Sequence, residues 1–168
     1  MTLERVKKLA FLTISQTGIS YPDSPLSETL PGLRSSAPRA GDRFPWWRLR
    51  LSADEAAEDL YGKLDDTRFT LLVIGQPAPP GGVPGLGDLL RTYLVPSDPA
   101  NKLQLARARI PPIAYYLLRP DGHVGLSGVQ LDTEAVNRYV EERLHIGGRA
   151  NEPRRPGIPT PPSASRRG

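Results

Sequence analysis

The chain contains no cysteine. Disulfide bonds, thiolate nucleophiles and cysteine-ligated zinc are therefore excluded by composition. Only two histidines are present, His123 and His145, too few for most histidine-based metal centres. No apolar run approaches the roughly 20 residues of a membrane-spanning helix, so no membrane partner is expected. The opening MTLERVKKLAFLTISQTG has only a short apolar stretch, Leu9–Ile14, broken by Thr13 and followed by no small-residue cleavage site. It does not read as a secretory signal, and with the missing cysteine this makes cytoplasmic placement the expectation. Apolar residues are also scarce, at 38%, against 19 prolines and 16 glycines. Many prolines lie in 21–45, in 77–84 and after Pro153, so a core has to come from the middle, roughly Leu49 to Ile146.

Charge is unevenly placed. The formal balance is +4, and much of the excess comes from Arg149, Arg154, Arg155, Arg166 and Arg167, opposed in the same tail by Glu152 alone. Such a tail can neutralise phosphates, but a solvated, disordered end needs no ligand and is the reading adopted for residues 147–168. Nucleic acid is accordingly not expected as a partner. At the other end, Leu3, Val6, Leu9 and Ala10 recur at helical spacing, which predicts an amphipathic helix within residues 1–20 that packs on a neighbouring domain. Residues 21–48 read as a Pro-rich linker. Trp46 and Trp47 close it, and are read as anchors for the linker in preference to a stacking platform.

The richest stretch is IPPIAYYLLRPDGHVGLSG, from Ile110 to Gly128. Two strands, Ala114–Arg119 and His123–Ser127, flank a Pro-Asp-Gly turn that supplies a fixed φ, a side-chain acceptor and a permissive φ. Asp132 then caps a closing helix with Val136, Tyr139, Val140 and Leu144 on one face, and Gly147 is its stop. Upstream, Ser52 and Glu55 form a capping box that predicts a helix to about Lys63. Arg68–Ile74 is a short β-branched run of the kind found in a buried central strand. A helix over Leu86–Tyr93, an outer strand in Thr92–Val95 and a helical stretch from Asp98 to Arg107 complete the reading. The order predicts an α/β, thioredoxin-like domain over 49–146, with a four-stranded mixed sheet, flanking helices and no CxxC.

Reactive groups are few. After the central strand, where a thioredoxin carries its dithiol, stands Gln76-Pro-Ala-Pro-Pro-Gly-Gly-Val-Pro84. Pro111-Pro112 occupies the place where that fold often has a cis proline, and a cis bond there is one of two open possibilities. Gly81, Gly82, Gly85 and Gly87 do not match the dinucleotide spacing G-x-G-x-x-G, and Asp88 would repel phosphate. Adjacent Asp65 and Asp66 read as a solvated turn, His123 as an exposed turn residue, and His145 as a partner of a helix C-terminus. A small enzyme built on His123 or the acidic pair is the least favoured reading. No catalytic, cofactor-binding or metal-ligating residue is assigned.

Several segments together resemble a known family. Gly41-Asp-Arg-Phe-Pro45, Leu60-Tyr61, Arg68-Phe-Thr-Leu-Leu72 and Tyr116-Leu-Leu-Arg-Pro-Asp-Gly-His-Val-Gly125 are similar in order and spacing to the C-terminal domain of FAD-dependent aromatic hydroxylases. These are the flavoprotein monooxygenases of the phenol hydroxylase and polyketide hydroxylase type. Ile19-Ser-Tyr-Pro-Asp-Ser-Pro25 resembles the segment that joins their catalytic part to that domain, so the likeness spans about Ser15 to Leu144. The resemblance implies a thioredoxin-like domain without the dithiol. It implies that FAD and NADPH belong to a catalytic partner and not to this chain, which carries neither of the family's flavin motifs. The expected role is a stand-alone, non-catalytic domain, inactive alone, that packs on a flavoprotein monooxygenase chain or on a second copy of itself. The alternative is an independent protein- or nucleic-acid-interaction module using the basic tail.

Overall fold

The run Phe69–Ile74 forms the strand β4, and everything else is arranged around it. In this computed structural model, which describes residues 20–51 and 56–146, Thr70 to Ile74 are all buried. A strand buried on both faces needs a continuous apolar run, and that is what the sequence supplies. β4 pairs in parallel with β5 (Leu90–Val95) and antiparallel with β6 (Ala114–Leu118). β6 turns into β7 (Val124–Gly128), and β7 pairs in parallel with β1 (Glu28–Thr29). The sheet order is β5-β4-β6-β7-β1. It is a mixed α/β sheet, broadly consistent with the thioredoxin-like class, with five strands in place of the expected four. The fifth strand comes from the segment read as a linker.

Alternation along the strands divides the core into two layers. Leu72 and Ile74 of β4 and Tyr116 and Leu118 of β6 face one side, with Phe44, Trp47, Leu49, Leu60 and Leu105. Leu71, Val73, Tyr115 and Leu117 face the other, with Val83, Leu86, Val136, Tyr139 and Val140. Full burial of each such side chain stabilises by roughly 1.5–3 kcal/mol.

Two helices lie against the sheet. α1 (Pro99–Arg107) starts at Asp98, whose carboxylate accepts from the Ala100 N–H at 2.7 Å, with proline at the first helical position. α2 (Thr133–Glu142) starts at Asp132, which accepts from the N–H groups of Glu134 and Ala135 at 2.9 and 3.3 Å, as its sequence predicts. The hairpin also forms as predicted. Gly122 takes φ +78° in the turn, and its N–H donates to Arg119 O at 2.9 Å.

Four expectations need correction or extension. No helix runs from Ser52 to Lys63. Ser52 and Glu55 lie outside the described residues, but Glu58–Asp59 is a strand, β3, paired antiparallel with β2 (Arg48–Leu49), and a 3-10 turn follows at Tyr61–Lys63. The Leu60 N–H donates to Trp47 O at 2.9 Å, so pairing with a distant segment overrides the local helical signal. The helix expected over Leu86–Tyr93 shrinks to a 3-10 turn at Gly87–Leu89, because β5 begins at Leu90 and pairs along its whole length with β4. No cis peptide bond occurs among the described residues, so the bonds into Pro111 and Pro112 are trans. Finally, residues 21–48 are packed where a free linker is expected. Phe44 and Trp47 are buried in the core, and backbone bonds from Gly41 and Phe44 to Val124 O and Gly122 O lace the segment to the hairpin. The expected helix in residues 1–20 (Ser20 apart) and the tail 147–168 lie outside the described residues.

Candidate functional site

In a thioredoxin-like sheet the reactive position follows the first central strand, here Gly75-Gln76. Gly75 turns the chain with φ +63°, and its N–H donates to Val95 O at 3.3 Å. A Cβ at this position would lie 2.1 Å from Pro112 O, so the two loops at this end of the sheet touch through backbone. Gln76 then spends its whole amide on structure. Nε2 donates to Ala114 O and Val129 O, both at 3.0 Å, and Oε1 accepts from the Leu131 N–H at 2.9 Å. One side chain therefore joins the end of β4 to the start of β6, the residue after β7 and the approach to α2. Sequence reasoning misses this role. The only signal is a lone amide where chemistry is expected, and the partners lie 38 to 55 residues away.

The glycine loop that follows does not suit a dinucleotide. Gly81, Gly82 and Gly87 face open space, yet β4 is succeeded by a loop and a 3-10 turn, not by an α-helix. No helix N-terminus stands behind the glycines to receive a pyrophosphate, and Asp88 sits in the short turn itself. These residues do not fit FAD or NADPH.

The remaining candidates are dispersed. Asp65 is held below the usual carboxylate range by the Thr67 hydroxyl and N–H, with Arg68 and Arg91 at 3.6 and 3.8 Å adding to the effect. Asp66 is exposed, and no hydrogen bond joins the two carboxylates. The acidic pair is a turn, as its sequence suggests. His145 follows α2 with φ +53° and is exposed. Among the described residues no three histidine and acidic side chains cluster as a metal site.

His123 is the exception to its expectation. It is buried, only 8% accessible, with the Tyr21 ring 5.4 Å away and the Asp121 carboxylate 3.4 Å from Nδ1. The covering residues are those of the packed 20–44 segment, which bridges to it through Arg43. Neither ring nitrogen has a hydrogen bond of good geometry, so no group orients the imidazole as a base. Asp121 itself is raised by burial, but the His123 N–H and the Arg119 guanidinium outweigh this and hold it below its ordinary value. The tryptophans divide. Trp47 is buried edge-on to Phe44 at 5.1 Å, as an anchor should be, while Trp46 is 62% exposed and its indole N–H donates to Asp59 at 3.0 Å.

No helix among the described residues is long and apolar enough to cross a membrane. No protein-family model matches the chain. No curated protein matches it. Solved structures do. The chain superposes on OxyS anhydrotetracycline hydroxylase from Streptomyces rimosus with a TM-score of 0.54, at 17% identity, over 84% of this chain and 26% of that one. Aklavinone-11 hydroxylase, solved with FAD and aklavinone, gives 0.52 at 21% identity, over 76% of this chain and 25% of that one. RebC, with bound 7-carboxy-K252c, gives 0.53 at 23% identity, over 83% and 26%. At these identities the likeness is one of fold. The chain spans about a quarter of the length of each.

Proposed function

We propose that this chain is the counterpart of the C-terminal, thioredoxin-like domain of FAD-dependent aromatic-ring monooxygenases, and that it acts by packing on a flavoprotein catalytic chain without chemistry of its own. The observation that carries this reading is Gln76. At the position where a thioredoxin needs a nucleophile, this chain has an amide whose donors and acceptor are all engaged by backbone. The absence of cysteine removes thiol exchange independently. The sequence resemblance and the quarter-length fold matches to two hydroxylases agree with a domain that normally accompanies a larger catalytic part.

The test mixes the full chain with a flavoprotein aromatic hydroxylase from which the C-terminal domain has been removed. Co-elution on gel filtration, with a higher melting temperature of the flavoprotein, is expected. Separate elution of the two, with this chain monomeric and the flavoprotein unchanged, would contradict the packing role.

A further inference from the structure

A recess of about 460 Å³ opens between residues 35–45 and the C-terminal end of α1. That is within the size range of small-molecule sites, roughly 300–1,000 Å³. Its charge is one-sided. Arg39, Arg43 and Arg109 line it, against the single carboxylate of Asp42. Asp42 is already engaged, with Oδ1 accepting from the Ser20 hydroxyl at 2.7 Å and Oδ2 from the Arg39 backbone N–H at 2.8 Å. Among the described residues the Arg39 and Arg109 guanidiniums make no ion pair. Among the described residues the Arg43 guanidinium meets neutral groups, the Tyr61 ring at 5.5 Å and Asp121 O at 3.4 Å. Three cations against one carboxylate leave the recess with a net positive charge, which raises the local potential and draws in an anion.

A second observation singles out Arg109. It has φ +61° at the position just past α1, where helices commonly use glycine. The helix closes there through Ile110 N–H to Leu105 O at 2.9 Å and Arg109 N–H to Ala106 O at 3.0 Å. Glycine would close it with less strain. Arginine at this position is instead one of the residues that line the recess. The opposite wall is fixed by the backbone bonds of Gly41 and Phe44 to the hairpin, and Ser35 and Ser36 add hydroxyl donors.

We infer that this recess is a binding site for a phosphoryl anion, either free phosphate or the phosphoryl end of a small molecule. Guanidinium forks and hydroxyls are the donors that such a group takes up. The inference rests on the recess alone and stands apart from the packing role. The test titrates the full ¹⁵N-labelled chain at constant ionic strength, once with inorganic phosphate and once with ADP. Saturable amide shifts confined to residues 35–43 and 108–110 are expected. Equal or tighter saturation by phosphate assigns the free anion, and tighter saturation by ADP assigns a phosphorylated small molecule. Arg109→Gly keeps the backbone conformation and removes the guanidinium, and it should weaken binding about tenfold without lowering the melting temperature. Arg39→Gln should weaken it similarly. Shifts that stay linear to the highest concentration, or affinities unchanged in both variants, would overturn the inference.

Discussion

Gly75 and Gln76 show how much of this molecule depends on single positions. A methyl group at residue 75 would collide with Pro112 O, and the positive φ disfavours any L side chain. Gly75→Ala should therefore destabilise by roughly 3 kcal/mol or more, read as a shift in the urea midpoint. Gln76→Ala would strip partners from two carbonyls and one N–H, at a cost of roughly 2–3 kcal/mol. Near-neutral behaviour of Gln76→Ala would contradict the structural role. A pH effect belongs to Asp121. Its folded pKa lies below its unfolded value, so the stability it contributes is complete above the ordinary carboxylate range and is lost as pH falls through the folded value. Between about pH 5 and 3 the unmodified chain should lose more stability than Asp121→Asn, measured by denaturant titration at each pH. Parallel curves for the two would contradict this.

At the level of elements, local signals are legible in the sequence and distant pairings are not. Asp98 and Asp132 cap their helices, the Pro-Asp-Gly turn forms, and Phe69–Ile74 is the central strand, because each is specified by neighbours in sequence. The two-residue strands β1, β2 and β3 carry no periodicity of their own and exist only through partners elsewhere along the chain. The burial of His123 is hidden in the same way, since its cover comes from residues about 80–100 positions earlier. Proline and serine content makes residues 21–48 look like a tether, yet Phe44 and Trp47 reach the core from it. A consequence follows for truncation. A chain restricted to residues 49–146 should fail to show cooperative thermal unfolding, since it loses β1 and two aromatic core residues, each worth roughly 3–5 kcal/mol on truncation to alanine. A truncated chain that melts like the longer one would restore the linker reading.

At the scale of the whole molecule, the fold class is legible in the sequence and the site is legible mainly as an absence. Zero cysteines exclude thiol chemistry by composition alone. What stands in its place, an amide engaged by three backbone groups, depends on loops that only the folded chain brings together. The arginine-lined recess is illegible for the same reason, because Arg39, Arg43 and Arg109 come from two segments more than 60 residues apart. The function we propose is that this body supports a flavoprotein and does no redox work itself. The most direct measurement incubates the purified chain with FAD, dialyses it, and then follows NADPH absorbance. A colourless protein and no NADPH oxidation above the protein-free rate are expected. Flavin absorbance that survives dialysis, or NADPH consumed by the lone chain, would contradict it.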